Sequence, residues 1–216
     1  MLGAYRVIDL TDERGQLAGM ILGLLGADVI AVEPPAGTAS RRIGPFAGEI
    51  EDPVEDPVVE DRVEDTERSL VHWAYNRAKR SVVADPRREE GRTALATLLA
   101  GADVLIDSGL PGHLAHYGLD REKVAALNPA LVHVAITPYG SEGPKASWPA
   151  SDLTVNAASG QQVLTGDADR APLRISAPPQ AHLQAAGDAA GAALIALAER
   201  RRSGLGQFVD LSLIHI

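Results

Sequence analysis

Two stretches of the chain, "LLGADVIAVE" (residues 24–33) and "LLAGADVLID" (residues 98–107), decide the fold. Each closes an amphipathic run with Gly-Ala-Asp and then begins an apolar, β-rich run. A glycine just past a helix end readily takes the left-handed turn, so Gly26 and Gly101 are both expected to turn that way. An apolar run bounded by turn residues marks a strand covered on both faces, as in a parallel sheet. A third unit follows in "DREKVAALNPALVHVAIT", with Asp120 as helix N-cap, Asn128-Pro129 as the stop and a strand over residues 131–137. The strand "YRVIDL" (residues 5–10) precedes them all. Strand, helix and strand in repetition predict an α/β fold: an open, mainly parallel, Rossmann-like sheet with helices on both faces. Such sheets bind ligands beyond the carboxyl ends of their strands. Those ends are residues 9–14, 33–42, 107–112 and 137–144.

The chain has 216 residues, 45% hydrophobic and 23% charged, which fits a soluble globular protein with a sizeable core. No apolar run approaches the roughly 18 residues of a membrane span, and the opening residues run straight into a strand pattern. No membrane partner is expected. With no cysteine, disulfides and thiolate chemistry are excluded, and a cytoplasmic location is the expectation. The net charge of −9 argues against nucleic acid as a partner. That charge is local: in "GEIEDPVEDPVVEDRVEDTE" (residues 48–67), ten acids face only Arg62. Its degenerate E-D-P-V repeat has too little apolar mass to pack and reads as a solvated loop insertion. A carboxylate metal cage needs ordered turns, so no metal site is expected. No G-x-G-x-x-G follows the first strand and no G-x-x-x-x-G-K-[ST] occurs, which disfavours dinucleotide and P-loop chemistry.

Near the C-terminal end, "PPQAHLQAAGDAAGAALIALAERRRSGLGQ" (residues 178–207) reads as a loop, a long helix and a glycine-bounded exit. Leu183, Ala190, Leu194 and Leu197 form the stripe expected to pack on the sheet, and Arg200, Arg201 and Arg202 suit the helix's negative end. Early in the stretch, two residues have reactive side chains, His182 and Asp188. Six residues apart on a helix is roughly 240° of rotation, so the two cannot share one pocket.

Taken in order, six pieces resemble the family III CoA-transferases. They are "VIDLTDERGQLAGMILGLLGADVIAVEPPAGTASRRIGPF", "YNRAKRSVVADPRREEGR", "GADVLIDSGLPGHLAHYGLD", "LNPALVHVAITPYGSEGP", "SDLTVNAASG" and "RRRSGLGQFVDLS". The family includes formyl-CoA, carnitine-type and succinyl-CoA-dependent enzymes and an acyl-CoA racemase branch. The resemblance implies coenzyme A or acyl-CoA as a substrate, no permanently bound cofactor, and a carboxylic acid as the second substrate. It assigns residues 1–212 to the N-terminal part of the large domain and makes 213–216 a truncated or non-native end. Relatives carry a further small domain and a lid, and their chains interlock, so an interlocked homodimer or heterodimer is expected of the full-length form.

The same resemblance places Arg41 at the nucleotide end of CoA, with Arg42 a close substitute. A guanidinium suits that place, since it binds phosphate bidentately and stacks on adenine. Ala84, Asp85 and Arg87 are implied at the ribose and adenine, and His116 near phosphate. Ser108, Gly109 and Leu110 would line the CoA channel, and Asp152 joins the cofactor-binding set. Asn76, Lys79 and Arg80 match a family signature but lie at a strand's amino end, away from the ligand edge, and are read as structural bracing.

Three departures bear on activity. Where the family has Glu-Asn-Phe-x-Pro-Gly, this chain has "DSGLPG", which removes an aromatic from the channel. Where the racemase branch has histidine before aspartate, this chain has Ala150-Ser151-Asp152. Serine cannot take a proton from an α-carbon near neutral pH, so racemisation is not expected. The transferases use an aspartate carboxylate that attacks the thioester, forms a mixed anhydride and releases CoA thiolate. Its family address, counted back twenty-two residues from Gly204, holds His182. Three readings of His182 stand open: a nucleophile forming an acyl-imidazole; a base or hydrogen-bond donor to the thioester, with the acid supplied by Asp152, Asp167 or Asp169; or a helix-start residue in a silent site. In the last case the chain is a non-catalytic CoA-binding subunit partnering an active relative.

Overall fold

The computed structural model describes residues 1–47, 68–176 and 178–215, so the acidic segment 48–67 lies outside the described residues. In chain order the elements are β1 (Arg6–Leu10), α1 (Gln16–Leu24), β2 (Asp28–Glu33), α2 (Leu70–Tyr75), β3 (Lys79–Val83), α3 (Glu89–Ala100), β4 (Val104–Asp107), α4 (Arg121–Leu127), β5 (Val132–Thr137), α5 (Asp152–Ala158), α6 (Gln180–Ser203) and β6 (Phe208–Ser212). Short 3-10 turns cover Ala39–Arg42, His113–Tyr117 and Leu213–His215. The six strands form one sheet in the order β3-β2-β1-β4-β5-β6, and every neighbouring pair is parallel. The α/β architecture read from the repeated units is therefore the observed one. No described helix is long and apolar enough to cross a membrane.

Strand alternation sends successive side chains to opposite faces. Val7, Val29, Val104, Ile106, Val132, Val134 and Ile136 meet α1 and α6 on one face. Ile8, Ile30 and Leu105 meet Leu95 and Leu99 of α3 and Val124 of α4 on the other. The sheet order reverses at β1, which pairs with β2 on one side and β4 on the other. Chains leaving these two strands turn to opposite faces, which opens a crevice between their carboxyl ends.

The two Gly-Ala-Asp exits differ. Gly26 has φ 102, as expected of a left-handed turn. Gly101 has φ −108, an ordinary value for any residue, and its N–H is satisfied by the Leu98 carbonyl. The Asn128-Pro129 stop works as a clamp: Asn128 Nδ2 donates to the Leu99 and Ala102 carbonyls at 3.1 and 2.8 Å, which ties α4 to the end of α3. Asp120 caps α4 by accepting from the Lys123 N–H.

In α6 the buried face is not the expected leucine stripe. Ala181, Ala185, Ala186, Ala189, Ala190, Ala193, Ala196 and Leu197 are buried, whereas Leu183 and Leu194 are half-buried. The reason is spacing. α6 packs against α1, β5 and β6 at once, and only a methyl-sized face fits so close an approach. The helix ends at Gly204, φ 75, and Arg200 Nη2 reaches Asp103 at 2.6 Å.

The Lys79 and Asp9 side chains are both buried, and the two pair at 2.8 Å. Lys79 Nζ also donates to the Gln16 carbonyl at 2.7 Å and to Asn76 Oδ1 at 2.8 Å. The signature residues at the amino end of β3 thus brace β1 and α1. Arg80 forks onto Asp28 at the exposed start of β2.

Candidate active site

The carboxyl edge of the sheet carries two neighbouring regions. The first lies over β2 and β3. A cavity of about 440 Å³ is lined by Val32, Pro34, Ala84, Asp85, Arg87 and Tyr117, among others, and so gathers three of the expected nucleotide contacts. Asp85 is chelated by its own loop: Arg87 Nε donates to Oδ1 at 2.8 Å and Arg87 Nη2 to Oδ2 at 3.1 Å. Those bonds hold the Asp85 carboxyl below the usual carboxylate range. Arg41 lies in an adjoining recess beside Glu33 and Ser81. Its Nε and Nη2 donate to the two Glu33 oxygens at 2.6 and 2.8 Å. Burial alone would raise the Glu33 pKa. The bonds from Arg41, Ser81 and the Thr38 N–H outweigh it and pull the pKa down to about 2.

His116 is exposed on the turn His113–Tyr117 and lines neither this cavity nor its neighbours. His113, one turn earlier, lines this cavity and a second one of about 240 Å³ beside β5 and β6. His113 also explains a sequence departure. A Cβ on Gly109 would sit 2.1 Å from His113 Nδ1, so the side chain absent at 109 makes room for this ring. Leu110 is exposed, and Ser108 is buried between the loops after β1 and β4, where it bonds Asp12. Behind that turn, His133 Nε2 donates to Asp107 Oδ2 at 2.5 Å, a buried pair that sequence reasoning did not single out.

The second region is the crevice itself. Ser108 Oγ accepts from the Asp12 N–H at 2.9 Å and donates to Asp12 Oδ1 at 2.8 Å, joining the loops after β1 and β4. Arg14 forks onto the same carboxylate, with Nη2 2.6 Å from Oδ2. Burial opposes ionisation of Asp12, but the Arg14 and Ser108 bonds prevail and its pKa falls below the usual value. Glu13 goes the other way. Burial and the neighbouring Asp12 charge raise it, and its Oε2 is buried without a hydrogen-bond partner among the described residues. The sequence pointed to residues 9–14 as a strand end but picked out no residue there. The usable signal was three consecutive charged residues, Asp12-Glu13-Arg14, directly after a buried strand.

His182 enters this region from α6, in its first turn. Pro179, the N-cap, offers no side-chain acceptor, and Asp152 substitutes: its Oδ1 accepts from the Ala181 N–H at 2.8 Å. Asp152 is thus placed next to His182 as a helix-capping carboxylate. Ser151 caps α5 through a reciprocal pair with Thr154. Burial pushes the His182 pKa down. The Asp152 charge opposes that shift, and Arg14 adds to it. Nδ1 of His182 is buried and has no partner among the described residues. Asp167 and Asp169 are exposed, and Asp167 pairs with Arg170 at 2.9 Å. Asp188 points to solvent. Among the described residues no group of three His, Asp or Glu side chains is placed to hold a metal ion.

The family model described as CoA-transferase family III matches residues 2–216. The chain belongs to the CoA-transferase family III. Among its relatives, the succinyl-CoA:(R)-benzylsuccinate CoA-transferase subunit BbsE of Thauera aromatica is 40% identical over 97% of this chain and 48% of its own length. The succinate–glutarate CoA-transferase of Agrobacterium fabrum is 35% identical over 100% of this chain and 51% of its own. A crystal structure of a CAIB/BAIF family protein from Brucella suis superposes with a TM-score of 0.84 at 36% identity, covering 97% of this chain and 52% of that one. The chain spans about half the length of the curated relatives it matches. In this family III chain, the cavity over β2 and β3 and the His182 crevice occupy one sheet edge.

Proposed function

We propose that this chain binds acyl-CoA along the carboxyl edge of its sheet and serves the transfer of CoA between an acyl-CoA thioester and a carboxylic acid. The observation that carries the reading is the convergence of Ala84, Asp85 and Arg87 on one cavity at the edge where α/β sheets take ligands. His182 stands at the address of the family's nucleophilic aspartate, at the head of α6. A neutral imidazole there, its pKa lowered by burial, accepts or donates a hydrogen bond at the thioester but does not supply the carboxylate of a mixed anhydride. Relatives named for succinyl-CoA make a succinyl donor the first to test. In this reading residues 1–212 are the N-terminal part of a large domain, and the full-length assembly is an interlocked homodimer or heterodimer.

A second reading has its own support. With the aspartate absent and a relative named as a subunit, the chain would act as a non-catalytic CoA-binding subunit beside an active partner chain. Trapping separates the two. Incubation with radiolabelled succinyl-CoA and an acid quench leaves label on the protein only if an acyl-enzyme forms, and hydroxylamine then releases that label as succinyl hydroxamate. CoA exchange into free succinate that falls in His182→Ala supports direct catalysis. CoA binding with neither label nor exchange supports the subunit reading, and unchanged exchange in His182→Ala removes His182 from the mechanism.

A further inference from the structure

Two of the buried polar atoms that lack a partner, Glu13 Oε2 and His182 Nδ1, belong to residues of the crevice between the carboxyl ends of β1 and β4. Buried polar atoms are nearly always paired, so orphaned ones at a ligand edge call for an explanation. Arg14 is linked to both. Its charge acts on His182, and Glu13 acts on Arg14. The guanidinium is held firmly: Nε lies 3.0 Å from each Asp12 oxygen and Nη2 2.6 Å from Oδ2. Asp12 is in turn fixed by the reciprocal pair with Ser108. One edge of the fork, Nε with Nη2, is therefore occupied. The end-on edge, Nη1 with the second Nη2 hydrogen, has no hydrogen bond among the described residues, and the side chain is 25% exposed.

An arginine held along one edge with its end open is preorganised for a second planar oxyanion. Resting on the CoA-transfer reading above, we infer that Arg14 anchors the carboxylate of the free-acid substrate, end-on, beside His182. Asp12 offsets much of the guanidinium's net charge, so the anchor works through the geometry of its N–H groups, which an ammonium does not reproduce. The other charged or titratable groups facing this place are Asp12 and Glu13 on the same loop, Asp107 of β4, Asp152 of α5 and His182 of α6. Burial and the Asp12 charge raise the Glu13 pKa, and in its protonated form the carboxyl donates. In the neutral tautomer carrying its hydrogen on Nδ1, His182 donates too.

The test uses the chain with succinate as probe and succinamide as the uncharged control. The imidazole proton resonance of His182, identified by its loss in His182→Ala, reports occupancy. Succinate is expected to move that resonance and succinamide to leave it in place. Arg14→Gln and Arg14→Lys are each expected to weaken succinate binding by about tenfold or more. Their CoA affinity, measured separately, should stay at the wild-type level, which also shows that the variants fold. Wild-type succinate affinity in a folded Arg14→Gln, or a His182 resonance that succinate never moves, overturns the proposal. Failure of the wild-type chain to bind CoA overturns the CoA-transfer reading instead, and leaves the succinate result to decide Arg14 on its own.

Discussion

At the head of α6, His182 presents an imidazole whose proton affinity burial has lowered, so its chemistry and its effect on stability are tied together. The folded pKa lies below the unfolded value of about 6.5, so the unfolded chain binds more protons as the pH falls past that value. The stability His182 permits is therefore present at neutral pH and lost on acidification. Urea midpoints of the wild-type chain should fall more steeply between about pH 7 and pH 5 than those of His182→Gln, which cannot take the proton. Parallel slopes for the two would contradict the assignment. At this scale the sequence was legible where a residue's address is set by the main chain. The loop-then-helix pattern of residues 178–207 put His182 near the start of a long helix, where it is. It was not legible where side-chain direction decides. His116 and His113 have similar local sequence, yet the turn carries His116 outward and leaves His113 against Gly109, and no spacing rule distinguishes them. Arg14 was missed because its partner Asp12 is fixed by Ser108, which the pairing of β1 with β4 brings alongside.

Element positions follow from local grammar, and packing partners do not. Asp120, Asn128-Pro129 and Gly204 mark their helix ends because capping and left-handed turns are written in neighbouring residues. The face that α6 buries was misread, since leucine carries the larger hydrophobic signal while the space available admits alanine. Ala189 is fully buried where α6 lies on its neighbours. Ala189→Leu should therefore destabilise the chain by about 1–3 kcal/mol through overpacking. Ile195→Leu on the exposed face of the same helix should change stability little. Chemical denaturation of the two variants checks the difference, and an Ala189→Leu variant as stable as wild type would show that α6 stands further from α1 than described.

At the scale of the whole molecule, one parallel sheet reverses its order at β1 and so opens a crevice toward β4. The cavity lined by Ala84, Asp85 and Arg87 sits over β2 and β3, on the same edge of the sheet. The repeated strand and helix units made this architecture readable, because a buried parallel strand and its crossover helix have few alternatives in sequence. The arrangement of loops on the edge was less readable, since it depends on which strands become neighbours. Calorimetric titration of the chain with CoA measures whether this edge binds CoA. One saturable site is expected, weakened about tenfold or more by Arg87→Ala, with about 2.7 kcal/mol of added stability at a hundredfold excess of CoA over its Kd. No binding, or binding that Arg87→Ala leaves unchanged, would contradict it.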